Sequence, residues 1–290
     1  MSMKTTINLF KLTDLQKTSK KVFNYFSIFT IVIGTALGPI NSATAANLAI
    51  TTGGSADVSA TNNAGGTNET QAYDDVSIIN PTSAHQVAYI FGDSAGDIFN
   101  IAGTLAITNN YVADATAETV AVSTVGTFNV TGATTITSSY DDDGSTNTNS
   151  SSILTLKNTS TFTGAVTLNE LGATDAASII IGDDSTASTV TFSGGLLAQA
   201  AGEGLFQVNA GGELQTIAGA IGSSTVRFGE VLTTSTATLS GAIIATEVDV
   251  DDDTTFGSTV DGTAINIATG KTATFQSDVT SGASHLTIIG

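Results

Sequence analysis

A short unit recurs along this chain: a large apolar residue, a small polar or small apolar one, a glycine, another small residue, then aliphatic or β-branched residues. It reads "IAGTLAI" from Ile101, "VTGATTI" from Val130, "FTGAVTL" from Phe162, "FSGGLLA" from Phe192, "IAGAIGS" from Ile217 and "LSGAIIA" from Leu239. Degenerate copies begin at Phe256, "FGSTVDG", and at Phe275, "FQSDVTSG". Successive starts differ by 29, 32, 30, 25, 22, 17 and 19 residues. Intervals of this size mark stacked structural repeats, and their unevenness suits coils with constant strands and variable loops.

The residues inside each unit say which secondary structure is stacked. "STVTF" places Val190 and Phe192 on one face of a strand with threonine on the other, and "TATF" does the same with Ala273 and Phe275. Strict alternation of this kind is the pattern of a half-buried strand. Thr, Ser, Val, Ile, Ala and Gly dominate the body, tryptophan is absent, and Pro81 is the one proline after position 39. The glycine is expected to supply a positive φ where one face ends and the next begins. One coil buries too little to offset the entropy of ordering its backbone, so stability belongs to the array. The predicted fold is all-β, a parallel β-helix (β-solenoid) forming a single elongated stack of coils. A string of small β-sandwiches is the competing architecture, but it repeats near 100 residues and usually carries a core tryptophan.

Three segments follow. Residues 1–45 read as a secretory signal peptide: Lys4, Lys11, Lys17, Lys20 and Lys21 precede the apolar "VFNYFSIFTIVIGTALG", and Ala43-Thr44-Ala45 fits cleavage before Ala46. An uncleaved membrane anchor is the alternative, weakened by Asn24, Ser27 and Pro39. Residues 46–100, with the polar tract "TTGGSADVSATNNAGGTNET" and then "VAYIF", are expected to form an N-terminal cap. Residues 101–290 are the solenoid repeats, expected to continue past Gly290, with "SSYDDDGSTNTNSSS" from Ser138 to Ser152 as an exposed loop.

Loss of the first 45 residues leaves Lys157, Arg227 and Lys271 as the basic residues against 25 acidic ones, a net charge of −22. Such a surface repels phosphate backbones and anionic lipid, so neither nucleic acid nor a membrane surface is an expected partner. Cysteine is absent, so an exported chain of this length relies on burial and backbone pairing alone.

One stretch has the outline of a catalytic motif. "GDSAG", Gly92 to Gly96, matches the G-x-S-x-G elbow, but an elbow needs a helix after its serine, a histidine base and an orienting carboxylate. "DIFNIAGTLAI" follows Ser94 and reads as strand, and the histidines are His85, close by, and His285, in the final coil. Polysaccharide lyase chemistry requires a basic residue and cations facing the substrate acid, for which three scattered basic residues are poor material. Phosphate-binding loops and His/Cys zinc clusters are lacking. No catalytic or cofactor-binding residue is assigned.

Calcium is the one metal with candidate ligands. "EVDVDDD" puts Glu247, Asp249 and Asp251 on one strand face if Val248 and Val250 point inward, with alternate residues about 6.8 Å apart. Asp141, Asp143 and Gly144 resemble the start of a calcium loop that lacks its third acidic position and distal glutamate. Solvated acidic loops that keep the surface soluble are the simpler reading of both stretches, and no metal site is assigned. Sequons at Asn68, Asn129, Asn149 and Asn158 are no more than this composition produces by chance.

The long basic leader, the cysteine-free Ser/Thr/Asn/Gly-rich body and the apolar-x-Gly-x-apolar strands resemble the passenger region of bacterial autotransporters over most of Ala46 to Gly290. The resemblance implies a right-handed β-helix displayed on the outer surface of the cell, commonly for adhesion. It also implies a C-terminal outer-membrane barrel, and the present sequence stops at "HLTIIG" without one. The expected function is therefore a secreted or surface-displayed, adhesin-like scaffold without catalysis, whose outward Thr and Asn ladders meet a surface glycan or protein ligand. The alternative is a self-assembling surface-layer or filament protein, calcium-dependent through its acidic loops.

Overall fold

In a computed structural model the chain divides into two units, Met1–Ala43 and Thr44–Gly290. The residues described are 46–51, 58–62, 70–81, 87–110, 119–138, 150–172, 175–182, 187–209, 213–280 and 287–289. The proposed signal peptide, His85, His285, Asp141 and Asp143 lie outside them.

Among the described residues there are 25 strands and no helix, and every strand pairing is parallel. The unit is a parallel β-helix. Two sheets hold the strands, and the larger one branches: the first residues of Thr70–Pro81 pair with Ile98–Ile101, and the last with Leu105–Asn110. The stack thus presents three rows. The first face runs through Val87–Phe91, Thr119–Thr124, Ser151–Leu156, Ala176–Ile181, Leu205–Val208 and Phe228–Thr233. The second runs from Ile98–Ile101 through Thr127–Val130, Ser160–Phe162 and Thr189–Phe192 to Ala273–Phe275. The third, from Leu105–Asn110 through Thr134–Ser138 and Val166–Glu170, shrinks to Ile221 alone, bridged to Leu196 and Ile243. Beyond that point each chain turn is shorter: Leu239 pairs with Phe256, 17 residues on.

Residues 46–100, expected as a cap, already contribute strands to these ladders. Ala46–Thr51 pairs with Thr70–Pro81, and Val58–Asn62 with Val87–Phe91.

Alternation decides the interior. In Thr119–Thr124 the residues Val120, Val122 and Thr124 are buried and their neighbours half-exposed. Val190 and Phe192 are buried as the "TVTF" pattern requires. Ring stacks run up the core: Phe128 lies 6.3 Å from Phe162, which stacks on Phe192 at 5.4 Å. Some polar residues that point inward are tied to their counterparts in the next coil. Asn80 Nδ2 donates to Asn109 Oδ1 at 3.2 Å, both residues being fully buried, so a side-chain ladder satisfies amides that would otherwise be costly inside.

The repeat glycines require a correction. Gly103, Gly132, Gly164, Gly194 and Gly241 sit where the second face turns into the third, as expected, but none has a positive φ. They are there because stacked corners touch backbone to backbone. A Cβ on Gly132 would lie 2.2 Å from the Gly103 carbonyl oxygen, and one on Gly241 would lie 1.7 Å from that of Gly219. Positive φ does occur at two of these corners, at Gly219 (106°) and at Gly195 beside Gly194 (84°).

The glycine-based alignment also slips at one position. Ile101, Val130, Phe162 and Phe192 are partners in register, as are Ile217, Leu239, Phe256 and Phe275. Between the two groups Ile217 pairs with Val190, not with Phe192. The buried Gln215 accounts for this: its Oε1 accepts from Ser188 N at 3.1 Å and from Ser188 Oγ, locking its strand two residues out of the glycine register.

Candidate functional site

The "GDSAG" segment is a turn between two strands, Val87–Phe91 and Ile98–Ile101. Gly92 takes φ 85°. The buried Asp97 then caps the turn, its Oδ2 accepting from Asp93 N and Ser94 N, both at 3.1 Å. Ser94 Oγ accepts from Gly96 N at 3.3 Å. The elbow's helix is replaced by a strand. Asp97, which sequence reasoning passed over, organises the segment, and its position closing an Asp-x-x-x-Asp turn after glycine was the available signal.

The acidic strand is oriented as the alternation requires. Val248 and Val250 are buried, and Glu247 and Asp249 point outward on the first face, with Asp251 exposed beyond them. Glu230 pairs with Glu247 in the ladder, which adds a fourth carboxylate that the sequence pattern alone did not bring near. The Asn266 amide donates to Glu247 Oε1 at 2.8 Å and to Asp249 Oδ1 at 2.6 Å, linking the two carboxylates. Among the described residues no group of three or more acidic or histidine side chains has the geometry to hold a metal ion.

Burial first, and then the negative charges of Asp249, Glu247 and Asp251, push the Glu230 carboxyl above the usual glutamate range. A raised carboxyl pKa means that the fold favours the protonated form. The stability Glu230 contributes when protonated is complete below its unfolded value of about 4.3 and is lost as pH rises through the raised value. Glu230→Gln is therefore expected to raise the thermal midpoint at neutral pH, with the gain vanishing below about pH 4. Paired melting curves at the two pH values measure it, and an equal gain at both would show that charge is not the cause.

Arg227 and Lys271 both reach neighbouring coils. Arg227 Nη1 donates to the carbonyls of Ala245 and Asp261, each at 2.9 Å, and Nη2 pairs with Asp261 Oδ1 at 2.6 Å. It straps successive coils together where the third face has shrunk. Lys271 Nζ reaches Asp252 Oδ1 at 2.8 Å. Two sequon asparagines are likewise engaged: Asn129 Nδ2 donates to Asn100 Oδ1 at 3.0 Å, and Asn158 Nδ2 to Ala95 O at 3.0 Å. Asn68 and Asn149 lie outside the described residues.

The outer side of the second face is different in character. Ladder pairing places Thr189, Thr216, Thr238, Thr255 and Thr274 one above another, all outside the core. Toward the first residues of the chain Asn100, Asn129, Thr161 and Thr191 form a parallel column one step further along the strands. A groove of about 430 Å³ lies beside the threonines, lined by Leu214, Thr236, Thr238, Asp253, Thr255, Thr272 and Thr274 among others. The threonines were legible as outward residues, whereas their vertical alignment depended on the register between coils.

Among the described residues, fold and surface together define a parallel β-helix that carries an uncharged, hydroxyl-lined column on its second face. No protein family, curated protein or solved structure matches the chain.

Proposed function

We propose that this chain is a secreted or cell-surface-displayed β-helical scaffold of the passenger or adhesin kind, working by contact and not by catalysis. The observation that carries this reading is the column from Thr189 to Thr274, five hydroxyls repeated at the ladder spacing on one face. A repeating row of neutral hydrogen-bonding groups suits an extended partner surface better than a single small molecule. The basic, then apolar, N-terminus supports export, with cleavage before Ala46. The net charge of −22 on the remainder supports an exposed, soluble body and disfavours nucleic-acid partners.

Expression of the full chain in a two-membrane bacterial host tests this. The exported form is expected to begin at Ala46, to be removed from intact cells by added protease or recovered from the medium, and to stay unlabelled by a serine-directed phosphonate. Retention inside the cell with an intact N-terminus overturns display, and labelling of Ser94 overturns the non-catalytic reading. The carboxylate row of Glu230, Glu247 and Asp249 favours the second reading, a self-assembling surface-layer or filament subunit. Calcium-dependent growth of particle size in light scattering would place that reading first.

A further inference from the structure

The geometry points to ice, or ice-like ordered water, as the surface that the threonine column meets. This rests on the reading of the second face as the contact face.

Parallel strands fix the vertical spacing of Thr189, Thr216, Thr238, Thr255 and Thr274 at about 4.8 Å, and residues two apart along a strand lie about 6.6 Å apart. In "TAT" at Thr236 to Thr238 and again at Thr272 to Thr274, the inward alanine leaves both threonines outside. The result is a partial net of hydroxyl and methyl groups: two of the five coils carry a second threonine beside the column, with Asp253 between them, and the backbone ladders hold all of them in register. Hexagonal ice repeats its oxygens along one axis at nearly the same interval as the strands. The β-branched threonine has few rotamers to lose on contact, so its oxygen keeps the lattice position that the backbone sets.

The groove supplies the second feature. This groove of about 430 Å³ is lined both by Thr238, Thr255 and Thr274 of the column and by the flank of Thr236, Asp253 and Thr272 beside them, which leaves room for ordered waters against both ranks. Asp253, the one charged member of the flank, is held by Thr272 N donating to its Oδ1 at 2.8 Å. The central column itself carries no charge, in a body of net charge −22. A charged group organises its own hydration shell and would break a lattice of waters, whereas a hydroxyl can replace one lattice oxygen.

A sugar chain is the competing occupant and fits less well. The exposed large apolar residues among those described are Ile98, Leu171 and Leu214, so no aromatic ring is offered for stacking on a pyranose.

The test is ice-recrystallisation inhibition and ice-crystal shaping by the full chain. Wild type is expected to shape ice. Thr238→Tyr and Thr255→Tyr, each projecting a ring from the net, are expected to weaken inhibition about tenfold, as for removal of a central contact residue. Their circular dichroism and melting curves are expected to match wild type. Thr135→Tyr, exposed on the third face, is expected to keep full activity. An inactive wild type, or equal loss in Thr135→Tyr and Thr238→Tyr, overturns the assignment. Binding of an inactive wild type to an insoluble neutral polysaccharide overturns ice alone and leaves the contact-surface reading standing; binding to neither removes both.

Discussion

Gly132→Ala is expected to cost about 3 kcal/mol or more, the upper end for overpacking a close-packed interior. Taken alone the substitution would be favourable: Gly132 has no positive φ, and alanine in an ordinary backbone conformation lowers the entropy of the unfolded chain. The coil beneath reverses the sign. The new methyl would lie 2.2 Å from the Gly103 carbonyl oxygen and 2.5 Å from its carbon. Both are backbone atoms paired into the ladder, and they cannot swing aside as a side-chain tip does. The corner must lift, and lifting it weakens the pairings on either side. Gly202→Ala is the control, because Gly202 has φ 87° and nothing within 4 Å of a new Cβ. It bears only the left-handed backbone penalty of about 1 kcal/mol. Urea unfolding of the two variants measures the difference; equal losses would mean that the corners are not in contact.

Phe162→Ala is the second large effect, expected at about 3 to 5 kcal/mol. The ring lies 6.3 Å from Phe128 on one side and 5.4 Å from Phe192 on the other, within a fully buried column. Its removal therefore damages two coil interfaces. In a stacked array stability is set by nearest-neighbour terms, so amides in Thr127–Val130 and Thr189–Phe192 are expected to lose hydrogen-exchange protection together with Ser160–Phe162. Phe275→Ala is expected to cost only about 1 to 2 kcal/mol. That ring is half-buried and its ring contact is with Phe256, at 5.1 Å. Loss of protection confined to Ser160–Phe162 would show coils more independent than the shared core implies.

Much of the architecture was readable from the residues because β-solenoid coils repeat their inside–outside rule locally. Val190 and Phe192 are buried and Thr189 is exposed for the same reason that the string reads polar–apolar–polar–apolar. Val248 and Val250 likewise turn the carboxylates of Glu247 and Asp249 outward. The glycine corners were located correctly, but the reason for most of them was not: a single coil suggests the conformational need met at Gly195 and Gly219, and only the coil beneath reveals the steric one at Gly132 and Gly241.

The candidate surface was half legible. That threonines face out follows from period two, but which threonine stands above which depends on loops of unequal length. The slip that pairs Ile217 with Val190 is made by Gln215 and Ser188, 27 residues apart, and no local pattern encodes it. The same slip puts Thr216 over Thr189 and continues the column to Thr238, Thr255 and Thr274. The gathering of Glu230 with Glu247 and Asp249, and the reach of Arg227 to Asp261, arise in the same way from neighbours supplied by other coils.

The chain's own order of residues thus determined strand type, the inward set, the corners and the strongly acidic exterior, because each depends on chemistry within a few positions. The tertiary structure decided the vertical register, and with it the threonine column, the groove and the carboxylate row. Register is an energy shared between coils, minimised by buried amides and stacked rings that lie about one turn of the helix apart in sequence.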